Sequence, residues 1–542
     1  MSVDWAVDLR RLLKFIGLLA SYGIRTEAGK LLGLEGARWA VAFRQFLESM
    51  GSTYLKLGQY LAIRFDLVPK EVGDELGRLF EGVPPVAYPL IRRQIEQALG
   101  QPIERLFESF EPTCIAAASI AQVHRAVSWQ GRKLAVKVQR PGVDRVIAAD
   151  LRNLRRMARL ADALKITRDI SLVDLIDEFA KHTLRELDFV AEGQTADLLR
   201  ANIGEITIPE VIWPLSSRRV LTMTFVEGVS AAKLIAAQSR PSDVVAGNSL
   251  GLDVEDAVRR LASATLRQIF IDGVFHADPH PGNILIGAHG QAGLVDFGIC
   301  GRLTQNQREH VRSYVQYLLL GDIDQSYRSY ENLLTFSPHS DRKAFRREVK
   351  KVMWQWAAIV RDPSSEPSAK HVGFISDRKA ALLYKYHVQF DVNTLLFWKT
   401  LIVLDGVALM LLPNFDLGEA LVKFFSDHEP PTGERIYAAL WNDKRIRGSM
   451  LLITDFAGHI NKTNDLLKSL RPVLTIRRQK IRQRERQTTY AIKCLCLAVA
   501  ALALQLVIES PSARLAVLAG GSAVAALFAG LSLRRMLHRG EA

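Results

Sequence analysis

The sequence predicts an α+β protein of two lobes, with a helical extension before them and a transmembrane helical hairpin after them. Three observations predict it. Apolar and polar residues alternate between Thr113 and Gln139, as in strands. Long stretches on either side keep helical periodicity instead. Near the end of the chain two apolar runs, residues 490–508 and 513–533, each approach the roughly 20 residues that span a bilayer. A length of 542 residues calls for several domains: an extension over 1–110, a small lobe over 111–228, a helical lobe over 229–470 and a membrane end over 471–542. With 48% hydrophobic and 24% charged residues, most of the chain can bury a core. A net charge of +14 suits nucleic acid or an anionic membrane surface. Cys114, Cys300, Cys494 and Cys496 show neither zinc-site spacing nor a disulfide framework, so a reducing compartment is expected. No secretory leader is expected, because the apolar run Phe15 to Ala20 is short and Lys14 precedes it.

In the extension, residues 52–64 read as a helix on which Lys56, Gln59 and Tyr60 share a face. Gly58 costs that helix about 1 kcal/mol relative to Ala, which suggests a close backbone approach. A solvated Lys and Gln on a packed helix is the simpler alternative. Pro69 ends the segment. From Thr113 strands take over, with residues 123–129, a Gln130-Gly131 turn and Lys133 to Gln139 forming a hairpin. Leu134, Val136 and Val138 fall on one face of the last strand, Ala135 and Lys137 on the other. Ser171 should cap a helix that runs, with bends, past Glu186 and Asp188 towards Asn202. Residues 220–228 read as a strand ending at Gly228, and most of 254–272 and 305–427 as helix.

The chemistry is concentrated between Phe275 and Gly298. Asp278 and Asn283 lie five residues apart, the spacing of the catalytic Asp and metal-binding Asn in kinase loops. Thirteen residues beyond Asn283 comes Asp296-Phe297-Gly298, whose Asp would hold Mg²⁺ against nucleotide phosphates. Ile284 to Ile286 and Leu294-Val295 read as two short strands that bring both ligands together. Either motif alone is weak, and an ordinary surface turn would explain Pro279, His280 and Pro281; the joint spacing favours a two-lobed protein-kinase-like fold. His276 reads as a tether for the loop rather than a base. In that frame residues 115–124 stand where a phosphate-binding loop would, and the strand over residues 220–228 fits the hinge whose backbone meets the adenine edge. Lys137 would reach the phosphates, with Glu186 as its ion-pair partner. Asp188 lies about 200° round an ideal helix from Glu186, so both face the nucleotide only if the helix breaks there. Glu192, one turn further on, is open to the same question or to a solvated face.

The membrane end opens with a basic stretch containing Arg477, Arg478, Lys480, Arg482, Arg484 and Arg486, and closes with Arg534, Arg535 and Arg539. Positive flanks on both sides of a helical hairpin place both ends in the cytoplasm. Gly521, Ala525 and Ala529 offer a small-residue packing face.

Taken together, these motifs resemble those of the UbiB family of atypical kinase-like proteins over most of the chain. Lys56-Leu-Gly-Gln59 is similar to its K-x-G-Q signature and residues 116–124 to its Ala-rich loop. Glu186-Leu-Asp188 is similar to its E-x-D element, and His276-Ala-Asp278, Asn283 and Asp296-Phe-Gly298 complete the set. The length and paired C-terminal spans resemble the bacterial ubiquinone-biosynthesis members. The resemblance implies that Asp278 is catalytic, that Asn283 and Asp296 bind Mg²⁺, and that Lys137 pairs with Glu186. It implies that Ile115, Ala116, Ala117, Ala118, Ser119, Ile120, Ala121, Gln122 and Val123 cover ATP or ADP. Lys56, Gln59 and Asp188 would gate the site against protein substrates. The implied activity is ATP hydrolysis or small-molecule phosphorylation supporting ubiquinone (coenzyme Q) synthesis at the bacterial inner membrane, with the catalytic domain cytoplasmic. The implied partners are membrane lipid, ubiquinone precursors, other enzymes of that synthesis and a second copy of the chain, with no nucleic acid. Ala121 departs from the family, in which many members carry Gly there. Two alternatives stand beside this reading. An aminoglycoside- or choline-kinase-like phosphotransferase explains the centre but not Lys56 to Gln59 or the membrane end. A catalytically idle nucleotide-binding scaffold is the other.

Overall fold

The computed structural model describes residues 5–31, 38–79, 84–165, 171–238, 252–362 and 364–428. The expected membrane spans at 490–508 and 513–533 lie outside the described residues. The chain divides into two compact units, one of residues 1–28, 149–176 and 442–542, the other of 29–148 and 177–441. Within the first, α1 (Trp5–Leu31) places Arg11 2.6 Å from Asp150, and Asp8 accepts from Arg152. There, too, the Ser171 hydroxyl accepts from Asp174 N at 3.1 Å, the expected cap.

The second unit opens with α2 (Arg38–Met50), α3 (Ser52–Ile63), α4 (Lys70–Leu76), α5 (Tyr88–Leu99) and the single turn α6 (Ile103–Leu106). Gly58 meets the expectation of close approach, since a Cβ there would lie 2.2 Å from Leu79 Cδ1 and 2.9 Å from Leu47 Cδ1. An antiparallel sheet follows in the order β1 (Ser109–Ala117), β2 (Ala121–Val127), β3 (Lys133–Gln139) and β4 (Val220–Thr224). Its alternation decides the small lobe's core. Leu134, Val136 and Val138 are wholly buried against Ile91 and Ile95 of α5, with Phe107 and Val220 beside them. Each such side chain contributes about 1.5–3 kcal/mol. Lys137, on the opposite face, is free to serve the site.

Between β3 and β4 run α7 (Val143–Ala163), α8 (Leu172–Glu186) and α9 (Phe189–Asn202). The helix expected to run with bends to Asn202 is in fact two. Asp188 caps the second, accepting from Val190 N at 3.2 Å and Ala191 N at 3.4 Å. After β4 the hinge passes through Gly228, whose φ of 150° and approach to the Ile286 carbonyl, 2.9 Å from an added Cβ, exclude a side chain.

The helical lobe begins with β5 (Val229–Ser230), α10 (Ala231–Gln238) and α11 (Val254–Arg267). β6 (Val274–His276), β7 (Ile284–Ile286), β8 (Ala292–Leu294) and β9 (Cys300–Arg302) then form two small antiparallel pairings, β7 with β8 and β6 with β9. Next come α12 (Gln305–Leu320), α13 (Ile323–Glu331), β10 (Leu334–Phe336), α14 (Arg342–Arg361), α15 (Val372–Tyr386), β11 (Val388–Phe390), α16 (Val392–Leu411) and α17 (Leu417–His428). Among the described residues α16 is the one helix long and apolar enough to cross a membrane, and most of it is buried within this lobe.

Candidate active site

The β7–β8 hairpin does what its spacing requires. Val295 N donates to the Asn283 carbonyl at 3.0 Å, which seats Asn283 beside the residue preceding Asp296. The Asn283 side-chain amide donates to the Asp278 carbonyl at 3.1 Å and closes the loop. His276 is the tether expected of it. Its Nε2 lies 2.8 Å from the Asp296 carbonyl and its Nδ1 3.3 Å from Asp278 N–H, so Nε2 carries the proton and Nδ1 accepts. Burial pushes the imidazole below its usual range and keeps it neutral.

Asp296 has a φ of 64°, a left-handed conformation that costs most residues but suits Asp better than most. Its carboxylate accepts from Gly298 N at 3.3 Å and from Lys137 Nζ at 2.7 Å. Burial works to raise this carboxyl, but Lys137, with Lys56 farther off, wins and holds it well below the ordinary carboxylate range. Lys137 Nζ lies equally close, 2.7 Å, to Glu192 Oε1, which also accepts from Phe297 N at 3.2 Å. Burial alone would lower the lysine; the two carboxylates hold it above its usual value. Burial pushes Glu192 up in turn, despite Lys137.

The partner of Lys137 is therefore Glu192 and not Glu186. The break at Leu187–Asp188 resets the helical phase, so that α9 rather than α8 presents the acid. Glu186 instead pairs with Lys56 at 2.8 Å. α3 lies along α8 through a row of such contacts. Tyr60 and Arg64 both donate to Glu178 at 2.7 Å, and the Tyr60 ring faces His182. Gln59, on the same face of α3, is half-buried. Asp188, expected to gate the site with Lys56 and Gln59, has its carboxylate on the N-terminus of α9 and 3.3 Å from Arg218.

The Ala-rich stretch forms the tip of the β1–β2 hairpin. Ile115, Ala116 and Ala117 lie in β1, Ala118 to Ile120 in the turn, and Ala121, Gln122 and Val123 in β2. The turn is fastened rather than open. Ala118 N donates to Ala121 O at 2.8 Å, Arg140 N to Ile120 O at 2.9 Å and Arg140 Nε to Ala118 O at 2.9 Å. The Gln122 side chain accepts from Val86 N at 2.8 Å and contacts His124, so it anchors the hairpin from below. The Ser119 hydroxyl is buried and has no hydrogen-bond partner among the described residues.

Asp278 has a partner that the sequence did not reveal, Lys399 of α16, whose Nζ lies 2.8 Å from Oδ1. Burial works to raise the Asp278 carboxyl, but Lys399 outweighs it and the net shift is downward. The sequence carried a local trace of Glu192, whose role it left open, but for Lys399 it marked only an unusual residue and not its partner. Arg185, Asp188 and Glu192 form a helix stop and start, and Lys399 is a lone cation in an apolar run.

A lysine paired with a helical acid, an H-x-D loop closed by an Asn and a D-F-G aspartate meet in one place. The sequence profile of the ABC1 atypical kinase-like domain matches residues 78–330, a span that holds this constellation except for Lys56 and Lys399. A probable protein kinase UbiB of Aeromonas hydrophila is 32% identical over 415 residues, covering 74% of this chain and 72% of that one. The chain belongs to the ABC1 atypical kinase-like family. Another relative, the chloroplastic protein Activity of bc1 complex kinase 3 of Arabidopsis thaliana, is 30% identical over 86% of this chain. This ABC1-family chain spans 65% of that plant protein's length and 60% of the length of Synechocystis protein sll0005. A solved structure of the Mycobacterium tuberculosis protein Rv3197 with erythromycin covers 73% of this chain and 98% of its own, at 20% identity and a TM-score of 0.42.

Proposed function

We propose that this protein is a membrane-anchored, magnesium-dependent ATPase or small-molecule phosphotransferase that supports ubiquinone synthesis. The observation that carries the reading is the bridge made by Lys137, 2.7 Å from both Glu192 and Asp296, beside the loop of Asp278 and Asn283. Lys137 is aligned by Glu192 for the nucleotide phosphates. One carboxylate and one amide suit an ion that takes its other ligands from phosphate and water, and among the described residues no cluster of three acidic, His or Cys side chains offers a cage. Asp296 and Asn283 would hold Mg²⁺, which supplies neutralisation of phosphate charge.

In the transfer, the oxygen of water or of a small hydroxyl acceptor forms a bond to the γ-phosphorus. The bond from that phosphorus to the β,γ-bridging oxygen breaks, and its electron pair leaves with ADP. Asp278, held ionised, receives the acceptor's proton. The Lys56–Glu186 pair fastens α3 to α8, which supports reading α3 as a cover that keeps a protein acceptor out. Support for the ubiquinone role comes from the similarity to the Aeromonas protein and from the motif set. The apolar runs at 490–508 and 513–533, with Arg-rich flanks, anchor the chain in the inner membrane with the catalytic unit cytoplasmic.

Asp296→Asn tests the site. The variant should lose the part of its nucleotide affinity that depends on Mg²⁺ and keep the affinity measured in EDTA. Equal affinities of variant and wild type in Mg²⁺ would remove the metal assignment.

A further inference from the structure

The catalytic loop itself carries no fixed cation near Asp278, because Pro279, His280 and Pro281 follow it. The cation comes from 121 residues further along the chain, on a helix whose other members are almost all apolar. α16 holds two charged residues, Lys399 and Asp405. Asp405 is spent inside the lobe, accepting from Val372 N at 2.7 Å. Lys399 is held differently, with Nζ 2.8 Å from Asp278 Oδ1 and both side chains partly open, at 23% and 29% exposure. Its place is rigid. Phe397 and Trp398 before it are buried, and the hydroxyl of Thr400 after it donates to the Leu396 carbonyl at 2.7 Å. The other titratable groups acting on Asp278 are His276, which is neutral, and Asp296, which is anionic. Among the described residues Lys399 is the cation paired with Asp278, as Lys137 is the one paired with Asp296.

We propose that Lys399 is a positioning residue for phosphoryl transfer, holding the Asp278 carboxylate towards the acceptor and placing an ammonium where the migrating phosphoryl group carries its charge. This rests on the phosphotransfer reading of the site. As the acceptor oxygen bonds to phosphorus and the bridging oxygen departs with ADP, the acceptor's proton passes to Asp278. The ammonium keeps that carboxylate in one orientation and offsets the negative charge arriving beside it. A merely structural ion pair would hold α16 against the loop and have no preference for the transition state.

The test uses the full-length protein reconstituted in lipid, with Lys399→Met, Lys399→Arg, Asp278→Asn and the Lys399→Met/Asp278→Asn double variant. Steady-state ATP turnover and Mg-ADP affinity are measured for each, with melting curves as the check on folding. Lys399→Met should lower kcat by about 100-fold, the usual loss for one fixed charge-stabilising donor. Mg-ADP affinity should stay within about twofold, because the group acts in the transition state and not on the bound nucleotide. Lys399→Arg should recover about tenfold of the loss, since it restores the charge but not the point geometry. In the Asp278→Asn background, Lys399→Met should cost about tenfold or less instead of about 100-fold, because only the offset of phosphoryl charge is left to lose. Wild-type kcat in Lys399→Met beside an inactive Asp278→Asn overturns the Lys399 assignment alone. Loss of kcat and Mg-ADP affinity together, with no rescue by Arg, also overturns it and leaves a packing role. Wild-type turnover in Asp278→Asn overturns the phosphotransfer reading itself.

Discussion

Lys137 and Lys379 are buried almost equally, at 8% and 3% exposure, and their surroundings are opposite in kind. Lys137 sits between two carboxylates, each 2.7 Å away. Lys379 has no carboxylate among the described residues. Its Nζ lies 2.9 Å from the Tyr314 hydroxyl and 3.7 Å from the centre of the Trp398 ring, with Tyr330 on a third side. Faces of aromatic rings attract an ammonium, by about 2 kcal/mol when water is excluded. Full burial of a charge costs several kcal/mol, so desolvation wins and the lysine falls well below its usual range. The same side chain is kept charged where phosphates would arrive and is driven towards neutrality where it only fills space. Burial by itself therefore says little about function; the chemistry of the neighbours does.

The largest effect should come from removing the charge at the first site. Lys137→Met should reduce ATP turnover by about 100- to 1000-fold, the range for loss of one fixed electrostatic donor. It also leaves Glu192 buried beside Asp296 with no cation between them, at a cost of about 3 kcal/mol near neutral pH. The sign of its pH dependence follows from Glu192. Burial already raises that carboxyl above its unfolded value, and loss of the lysine raises it further. A raised acid contributes least at high pH, so the destabilisation should shrink as pH falls towards 5, as denaturant melts at several pH values would show.

Lys379→Met should do far less. An apolar isostere in an aromatic box changes stability at pH 7 by about 1 kcal/mol or less, in either direction. The sharper reading is the slope. The unfolded lysine stays protonated up to about pH 10.4, whereas the folded one gives up its proton earlier. Unfolding then takes up a proton, and wild-type stability should rise with pH through that window by at most about 1.4 kcal/mol per unit. Melts at pH 7 and 9.5 should show that rise in the wild type and a flatter dependence in Lys379→Met. Parallel slopes would mean that the aromatic cage keeps Lys379 charged, and the contrast between the two sites would dissolve.

Much of this was legible in the residues. Period-two alternation placed Lys137 on the face of β3 opposite Leu134, Val136 and Val138, and the five-residue spacing of Asp278 and Asn283 placed the loop. The tethering role of His276 followed from its sequence context, and its hydrogen bonds to the Asp296 carbonyl and from Asp278 N bear it out. The partner of Lys137 was misassigned because a bend or break near Leu187 could be anticipated but its geometry could not, and it is the real break between α8 and α9 that turns Glu192 rather than Glu186 towards the lysine. Lys399 was missed because nothing local ties residue 399 to residue 278; only the tertiary fold does. The E-x-D element was recognised as a unit, yet its two acids part company, one to Lys56 and one to a helix cap.

That division allows the central claim, that Glu192 and not Glu186 sets Lys137 for the nucleotide, to be tested by one measurement. Titrate Mg-ADP into the wild type, Glu192→Gln and Glu186→Gln under identical conditions. A hydrogen bond to a charged group is worth about 1.5–3 kcal/mol, so Glu192→Gln should bind about 10- to 100-fold more weakly. Glu186→Gln, which loosens only the Lys56 contact, should bind no more weakly than the wild type. If Glu186→Gln loses affinity and Glu192→Gln keeps it, the account of the site is wrong.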